Sequence, residues 1–351
     1  MEQSRFVSTD KLLIAGPCSA ESLEQVLLTA KSLDCYPDMF FRAGLWKPRT
    51  MPSSFEGVGS KGLMWLREVK RLYGLKVCTE VASPNHVEQC LDAEMDALWI
   101  GARTTTNPFS VQDIADALSG TDIPIFVKNP LNPDVKLWIG AVERLYRSGC
   151  RNICAVHRGF CLADNGIYRN SPLWQVAIEF RRLMPQTKLI CDPSHIAGRS
   201  ELVFDVSQTA MNLCFDGLMI EVHSDPLQAK TDAKQQLSPV QLHELLSRLQ
   251  LPHSNDSQSA EDLELLRGKI DQTDAEIVSL LAQRMEIVKQ LSEVKHRNNM
   301  SILQIDRWKD ILQSRMQQAD KLHLNSDFVK DIFEQIHRES VALQDKIAKS
   351  H

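Results

Sequence analysis

The 351-residue sequence lacks the features of several broad classes of protein. No apolar run approaches the roughly 20 residues that span a bilayer, and the first residues lack the basic and apolar regions of a secretory signal peptide. With 40 Lys and Arg against 45 Asp and Glu, the net charge of −5 provides no electrostatic basis for binding nucleic acid or a membrane. The nine cysteines include no Cys-x-x-Cys pair and lie mostly within apolar runs. They are interpreted as free thiols, so we expect a cytoplasmic protein.

Strand-like runs recur at regular spacing through the first 250 residues and alternate with helix-like segments. The eight runs cover residues 11–19, 40–50, 75–80, 97–103, 124–129, 152–158, 188–195 and 217–223. Their alternation with helices predicts βα units and a parallel sheet. Eight such units in about 250 residues match the size of a (β/α)8 TIM barrel, so the predicted fold class is α/β. A doubly wound open sheet is the alternative, but no Gly-rich dinucleotide loop follows the first run.

The apolar runs end in side chains with reactive or charged groups. These residues are Cys18, Lys47 with Arg49, Glu80, Arg103, Lys128, Arg158, His195 and Glu221. In a barrel, the carboxyl ends of the strands meet at one face, where active sites lie. The cationic members would repel one another in a partly dry mouth without anions to bind. The pattern therefore predicts polyanionic ligands, most plausibly phosphates and a carboxylate, which arginine binds with two parallel hydrogen bonds.

Four of the residues at or beyond these ends suggest a metal site. Cys18, His195, Glu221 and Asp232 offer a thiolate, an imidazole and two carboxylates. This mixed set of donors suits a divalent transition metal such as Mn, Fe, Co or Zn better than Mg or Ca. We therefore predict one such ion at the mouth of the barrel.

Six motifs at the strand ends resemble those of the 3-deoxy-D-arabino-heptulosonate 7-phosphate (DAHP) synthases, in particular the type I beta branch. They are Gly-Pro-Cys-Ser (16–19), Lys-Pro-Arg-Thr (47–50), Ile-Gly-Ala-Arg (100–103), Val-Lys-Asn (127–129), His-Arg-Gly (157–159) and Asp-Pro-Ser-His (192–195). The resemblance covers about residues 1–250. The related 3-deoxy-D-manno-octulosonate 8-phosphate synthases have Lys-Ala-Asn-Arg in the second of these loops. Pro48, Arg49 and Thr50 therefore favour erythrose 4-phosphate as the sugar, with the octulosonate enzyme as the alternative.

This resemblance implies a metal-dependent, aldol-like condensation of phosphoenolpyruvate with erythrose 4-phosphate, with release of phosphate. Glu80 and Lys128 would position and deprotonate the water that completes the reaction. The binding roles that the resemblance implies fall on seven residues: Arg103, Lys128 and Arg158 for phosphoenolpyruvate, and Lys47, Arg49, Thr50 and Arg199 for the sugar phosphate.

The last ninety residues have a different pattern. A polar segment, 251–260, reads as a linker between a barrel domain (1–250) and a helical domain (261–351). A heptad-like apolar seam over 261–297 predicts a helix roughly 55 Å long, followed by helices at about 305–319 and 327–347. One helix of that length cannot bury its seam within a ninety-residue unit without a partner chain or a long companion helix, so we expect an all-α, three-helix domain that pairs its long helix in one of these two ways. A purely dimerising tail is the alternative.

Cationic residues on or beside this seam resemble those of the helical (AroQ-class) chorismate mutases, as do Leu-Arg-x-x-Ile-Asp (266–271) and Leu-Ala-x-Arg (281–284). The resemblance implies rearrangement of chorismate to prephenate without a cofactor. It also implies an intertwined homodimer, in which Arg267 enters the site of the second copy. It implies that Arg267, Arg284 and Arg307 bind the two carboxylates of chorismate. It also implies that Lys295 and Gln344 donate hydrogen bonds to the ether oxygen of chorismate. Gln304 and Trp308 stand where the family often has acids, so a non-catalytic sensing domain is the second hypothesis. In either case we expect chorismate or prephenate to slow the condensation.

Overall fold

The structure is a computed structural model that describes Phe6 and residues 10–47, 55–252, 257–298 and 300–349, without the side chains of residues 257–262. Arg49 and Thr50, both predicted to bind the sugar phosphate, lie outside the described residues. The chain divides into two compact units, Met1–His253 and Ser254–His351. Each unit is described by itself below.

The first unit is a closed barrel of eight parallel strands that pair in sequence order. The strands are β1 (Leu12–Gly16), β2 (Phe40–Arg42), β3 (Lys76–Val81), β4 (Ala97–Ile100), β5 (Ile125–Lys128), β6 (Ile153–His157), β7 (Lys188–Cys191) and β8 (Gly217–Glu221). Closure comes from the pairing of β1 with β8, in which Leu12 lies opposite Gly217. The predicted TIM barrel is therefore confirmed.

Helices connect the strands in the alternation that the sequence predicts. They are α1 (Leu23–Lys31), α2 (Lys61–Tyr73), α3 (Pro84–Asp92), α4 (Ala102–Thr105), α5 (Pro108–Ala117), α6 (Val135–Arg147), α7 (Trp174–Leu183), α8 (Pro193–Ala197), α9 (Val203–Asn212) and α10 (Pro239–Arg248). Several begin with a side-chain cap followed by proline, as in α3, where Ser83 accepts a hydrogen bond from the His86 amide. Local sequence thus determines where these helices start.

Side chains of the strands alternate between the inside of the barrel and the layer between strands and helices. The inside is filled by a separate apolar cluster that includes Ile14, Phe40, Trp99 and Met219, whereas Phe41 packs in the larger outer core. The same alternation along β2 turns Arg42, which is 1% exposed, toward the inside. Apolar side chains therefore fill the inside of the barrel, and polar side chains at the carboxyl ends of the strands form its mouth.

The motif Asp192-Pro193-Ser194-His195 forms the start of a short helix. The Asp192 carboxylate accepts a hydrogen bond from the His195 amide at 3.0 Å, and Pro193 occupies the first helical position, where its missing N–H is harmless. The motif therefore ends β7 and places His195 in the first turn of α8. Arg103 likewise lies in a short helix, α4, just after β4.

His157, on β6, is fully buried on the outer side of the barrel wall. Its ring lies among aromatic side chains, with centroid distances of 5.2 Å to Trp174, 5.7 Å to Phe160 and 6.1 Å to Phe215. Burial in this apolar cluster lowers the pKa of His157 to about 3. The imidazole is consequently neutral in the folded barrel at any pH where the protein would work.

We expect His157 to make the barrel sensitive to acid. Its pKa falls from about 6.5 in the unfolded chain to about 3 in the fold, so the unfolded chain takes up the proton first. The stabilisation is complete above pH 6.5 and is lost as the pH falls toward 3, by about 2 kcal/mol at pH 5. Urea unfolding at pH 5 and 7.5 measures the free energy of unfolding of wild type and His157→Leu. The variant has no imidazole at this position, so its free energy of unfolding should lack the decrease that His157 causes in wild type. Equal pH dependence in the two proteins would contradict it.

The second unit consists of α11 (Ser257–Arg297), α12 (Ile305–Lys321) and α13 (Ser326–Ala348). Helix α11 has 41 residues and is therefore roughly 60 Å long. Near its C-terminal end it buries Val288, Ser292 and Lys295. Farther toward its N-terminus, apolar side chains are exposed, among them Leu266 at 54%, Ile270 at 59% and Ile277 at 50%. Within the described ranges, no helix combines the length and apolar character that a membrane span requires.

Candidate active sites

The carboxyl ends of the strands surround a cavity of about 290 Å³. Seven of the residues predicted from the sequence line it, together with one further cation, Arg169. The predicted ones with acid–base or anion-binding roles are Lys47, Glu80, Arg103, Lys128 and Arg158, and the predicted metal ligands among the lining residues are His195 and Asp232. The barrel topology thus brings together side chains that lie up to 185 residues apart in the sequence.

Two of the predicted metal ligands, His195 and Asp232, line this cavity, and the other two, Cys18 and Glu221, lie next to them. Donor atoms of Cys18, Glu221 and Asp232 all lie within 4.8 Å of one another. The thiol of Cys18 is 3.2 Å from Asp232 Oδ2, and His195 Nε2 is 3.8 Å from Glu221 Oε1. A sulfur, a nitrogen and carboxylate oxygens at this spacing fit a divalent transition metal ion.

The two carboxylates of this cluster stay ionised although they are buried. Burial by itself raises the pKa of each, but His195 with Arg42 lowers the pKa of Glu221, and His195 with Arg169 lowers the pKa of Asp232. Burial, with Glu221 as the next cause, raises the pKa of the Cys18 thiol to about 12. A cation bound between these groups would stabilise their charged forms, because the ion is then the largest local charge.

Arg42 is a site residue that was missed in the sequence. Its Nη2 donates to Glu221 Oε1 at 3.1 Å, with both side chains at most 1% exposed, and its guanidinium lies 4.9 Å from the Trp99 ring centroid. The available signal was an arginine in the otherwise apolar run Phe40-Phe41-Arg42-Ala43. Since one face of each barrel strand points inside, such a charge needs a buried partner.

Asp192 connects the metal cluster to the anion-binding side of the cavity. Its carboxylate accepts from Lys128 Nζ at 2.7 Å and lies 2.9 Å from His195 Nδ1. This contact turns the other ring nitrogen of His195 toward Glu221, which is how outer carboxylates commonly orient a metal-binding histidine. Burial lowers the pKa of Lys128, and Asp192 opposes that shift. The sequence motif contained Asp192, but no role was predicted for it.

We expect Asp192→Asn to weaken both the fold and metal binding. The variant leaves Lys128 buried without its counter-charge, which costs about 3 kcal/mol of stability, and loosens His195, for which a 10–100-fold loss of metal affinity is typical. Thermal unfolding and metal titration measure the two effects. Asp216→Asn is the matched control, because its ion pair with Arg181 is about one-third exposed and should contribute less than about 1 kcal/mol. Equal losses in both variants would contradict this role.

The cations of the cavity differ in how tightly the protein holds them. Arg158 is 7% exposed and donates to Asn170 Oδ1 at 2.8 Å, and burial lowers its pKa to about 10, so it remains charged at neutral pH. Arg103 is exposed at the rim. Arg199 is not among the residues that line the cavity, since its Nη2 donates to the carbonyl of Ile167 at 2.8 Å.

Lys47, which follows β2, and Glu80, which lies on β3, both line the cavity. Lys47 Nζ lies 3.2 Å from Cys18 Sγ, and Glu80 Oε2 accepts from Trp99 Nε1 at 3.1 Å. The Glu80 carboxylate also needs a glycine beside it, because a Cβ at Gly101 would lie 2.1 Å from Glu80 Oε1. The Ile-Gly-Ala-Arg motif therefore makes room for the acid of the preceding strand.

Three of the five residues predicted for the helical unit are buried or half-buried: Arg284, Lys295 and Gln344. Arg284 donates to Ser340 Oγ at 2.5 Å, and Lys295 donates to the carbonyl of Ile302 at 2.6 Å. Gln344 is 5% exposed, and its Oε1 has no hydrogen-bond partner in the part of the chain that the structure describes. Two predicted residues are exposed instead, Arg267 beside Glu264 at 2.6 Å and Arg307 on α12.

An aromatic pair lies next to this group. The rings of Trp308 and His337 stack with centroids 3.8 Å apart and planes at 11°. Burial, followed by the positive charges of Arg284 and Lys295, lowers the pKa of His337. His337 was missed in the sequence, although it precedes Ser340 by three and Gln344 by seven residues and so lies on the same face of α13. Its position makes it part of the wall of this site.

The closed barrel with acid, base and cationic side chains around one mouth defines the larger part of the chain as a TIM-barrel enzyme. The chain belongs to the DAHP synthetase I family, whose model matches residues 7–254. The model of chorismate mutase type II matches residues 266–345. The protein therefore carries a DAHP synthase domain followed by a chorismate mutase domain, which confirms both predicted resemblances.

Individual relatives agree with this assignment. The chain is 32% identical over 237 residues to phospho-2-dehydro-3-deoxyheptonate aldolase of Thermotoga maritima, with 68% of each chain covered. A crystal structure of an enzyme of that name from Thermotoga maritima has a TM-score of 0.61 at 29% identity, again over 68% of each chain. Over 85 residues the chain is 37% identical to the bifunctional chorismate mutase/prephenate dehydratase of Buchnera aphidicola, which covers 24% of this chain and 22% of that protein.

Proposed function

We propose that the barrel condenses phosphoenolpyruvate with erythrose 4-phosphate to give DAHP and phosphate, in a metal-dependent reaction. The observation that carries this proposal is the single cavity in which cationic side chains meet a thiol, an imidazole and carboxylates. The cationic side chains suit the phosphates and the carboxylate of the two substrates. The thiol, imidazole and carboxylates suit a metal ion that would act as a Lewis acid on the aldehyde oxygen. The helical unit would rearrange chorismate to prephenate.

Arg103, Lys128 and Arg158 would bind the carboxylate and phosphate of phosphoenolpyruvate. The buried Arg158, held by Asn170, provides a fixed site for one anion, and Arg103 at the rim can close over the other. Arg49 and Thr50 would place the phosphate of the sugar. Arg199 would join them only after leaving the carbonyl of Ile167, to which it donates now.

Cys18, His195, Glu221 and Asp232 would hold one Mn, Fe, Co or Zn ion. When bound there, such an ion polarises and orients the aldehyde of the sugar phosphate. The enol carbon of phosphoenolpyruvate attacks the aldehyde carbon, and the aldehyde oxygen needs a proton. Lys47 is the acid in reach, because Cys18 and Glu80 raise its pKa against the opposing effect of burial, which keeps it protonated.

The attack leaves positive charge on the carbon that bears the phosphate, and water adds to this carbon. Glu80 and Lys128, which line the same cavity, would position that water and remove its proton. Burial lowers the pKa of Lys128, so proton exchange with it costs less than with an exposed lysine. Cleavage of the bond between that carbon and the phosphate oxygen then releases phosphate and forms the keto group of the product.

The rearrangement of chorismate needs no cofactor, since it is a pericyclic reaction within one molecule. Arg284, Arg307 and Arg267 would hold its two carboxylates in the reactive shape. Lys295 and Gln344 would donate to the ether oxygen as negative charge develops there. Gln344 has its side chain buried and fixed by donation to the Ser340 carbonyl at 3.2 Å, which suits a group that must be placed before the reaction.

A homodimer through the helical unit is part of this proposal. The exposed apolar residues along α11, such as Ile270 and Ile277, are what a second copy of the chain would bury. The exposed Arg267 on the same helix would then reach the site of that second copy. Light scattering of the full chain should give twice the chain mass, and a monomeric mass at micromolar concentration would remove the intertwined arrangement.

A sensing domain without catalysis is the second candidate for the helical unit. The observation that favours it is the Trp308–His337 stack beside Arg284 and Lys295, because it puts bulk where an acid near the substrate hydroxyl would serve catalysis. Loss of chorismate absorbance on adding the protein supports the mutase. Binding of chorismate without that loss supports the sensor.

We also propose that chorismate or prephenate, bound to the helical unit, slows the condensation. Both activities lie on one chain, and coupling of two sites is reciprocal when it is allosteric. Initial rates of condensation with and without prephenate, for the full chain and for residues 1–250, test this. Inhibition of the full chain alone supports it, whereas an insensitive full chain would remove the idea.

The central experiment assays both activities on the purified protein. After metal removal, the condensation should be absent and should return with Mn, Fe, Co or Zn, as followed by the loss of phosphoenolpyruvate. Erythrose 4-phosphate should be used in preference to arabinose 5-phosphate. Faster turnover of arabinose 5-phosphate would assign the octulosonate alternative, and full activity after metal removal would contradict the metal site.

A further inference from the structure

The Arg169 side chain contacts the loop that carries Asp232 at two points. It lies in the loop between β6 and α7, and its Nη1 donates to Asp232 Oδ1 at 2.9 Å and to Gln235 Oε1 at 2.5 Å. Gln235 is 1% exposed, and its Nε2 donates to Glu221 Oε2 at 2.7 Å. Arg169 therefore reaches two proposed metal ligands, Asp232 directly and Glu221 through Gln235.

The position of Arg169 is itself fixed by the helix that carries a third ligand. Its amide donates to the carbonyl of Ile196 in α8 at 3.0 Å. Its side chain crosses Gly198, the residue that ends α8 with a φ of +71°, and a Cβ there would lie 2.3 Å from the Arg169 Cβ. The next residue, Asn170, donates to the carbonyl of His195 at 2.6 Å. The arginine thus connects the end of α8 to the loop that carries Asp232.

These contacts determine which carboxylate oxygen of Asp232 faces the other ligands. Asp232 lies at the start of a short 3-10 turn with a φ of 50°, on a loop rather than on a strand. With Oδ1 held by Arg169, Oδ2 points to the Cys18 thiol at 3.2 Å. The hydrogen bonds described for the Asp232 side chain are those with Arg169 and Cys18. Without Arg169, the contact with Cys18 would alone define the orientation of the carboxylate.

We propose that Arg169 and Gln235 are positioning residues that set the geometry of the metal ligands Asp232 and Glu221. This inference rests on the metal site proposed above. Outer residues that orient ligands typically change metal affinity 10–100-fold when they are removed. A positive charge near a divalent ion acts in the opposite direction. The Arg169 side chain is 45% exposed, so water screens its charge, and we expect the loss of orientation to dominate.

Metal titration of the metal-stripped full chain, with a chromophoric competing chelator, tests the proposal without relying on activity. Arg169→Met should weaken Mn or Zn binding 10–100-fold. Arg169→Lys keeps the charge but not the planar guanidinium whose Nη1 donates to both Asp232 and Gln235, and it should be intermediate. Arg182→Met is the control, since Arg182 is exposed and pairs with Glu179 on the same helix; its metal affinity should equal that of the wild type.

A double variant tests whether Arg169 acts on Glu221 through Gln235. Because Gln235 is the route from Arg169 to Glu221, Gln235→Met should also weaken binding, but the combined variant should lose less than the product of the two single effects. If Arg169→Met does not fold by circular dichroism, Gln235→Met and Arg169→Lys carry the same test.

Two results would overturn the inference. The first is a metal affinity of Arg169→Met within twofold of the wild type, or tighter, which would leave the metal site itself intact. The second is absence of binding by the wild type, which would remove the proposed metal site and this inference with it. A fully multiplicative double variant would overturn the route through Gln235.

Discussion

Cys18→Ala is expected to abolish the condensation, because it removes the only sulfur donor of the cluster with Glu221 and Asp232. The remaining nitrogen and oxygen donors bind a borderline metal less tightly, and the aldehyde loses its Lewis acid. We expect turnover to fall by at least about 10³-fold, since metal polarisation supplies several kcal/mol of transition-state stabilisation. His195→Ala should have the same effect.

Phosphoenolpyruvate consumption and metal content, measured on the same preparation, check this result. Cys90→Ala is the matched control, because Cys90 is also a fully buried thiol but packs in the outer core against the helices. The control should retain its metal and its activity. Undiminished turnover by metal-free Cys18→Ala would contradict the proposed mechanism.

Arg284→Ala should reduce the rearrangement of chorismate by about 10²–10³-fold, the usual loss when one fixed donor to developing charge is removed. Arg284 is held by Ser340, so its guanidinium is in place before the substrate binds. The condensation by the barrel should continue at its basal rate, since Arg284 belongs to the helical unit.

The rate of chorismate loss in wild type and variant measures this. Arg297→Ala provides a control on the same helix, because Arg297 is exposed and its Nε contacts only the Glu293 carbonyl at 3.4 Å among its described hydrogen bonds. That variant should rearrange chorismate like the wild type. Equal rates for Arg284→Ala and wild type would remove Arg284 from the site, and no rearrangement by wild type would favour the sensing domain.

Much of the barrel and its mouth could be predicted because local patterns determine them. Alternating strand-like and helix-like runs predict a parallel sheet, and a closed parallel sheet brings every carboxyl end to one face. Cys18, Glu221 and Asp232 could thus be grouped before any distance was known. Arg199 shows the limit of that reasoning, because it follows His195 closely in sequence but donates away from the cavity.

The supporting contacts could not be predicted, because each joins side chains far apart in the sequence. Lys128 and Asp192 are separated by 64 residues, and Arg42 and Glu221 by 179. Motifs indicate which residue types occur at a strand end, but not which neighbour each side chain selects. That choice depends on rotamers, burial and the path of the loops.

The order of the elements, the fold class and the chemistry of the mouth follow from local properties of the chain, namely hydrophobic periodicity and the residues at the strand ends. Three sets of contacts depend instead on the folded arrangement: Asp192 joins Lys128 to His195, Arg169 and Gln235 hold two carboxylates, and His337 stacks on Trp308. They could not be foreseen because a buried charge is stable only beside a suitable partner. That partner is selected by packing in three dimensions.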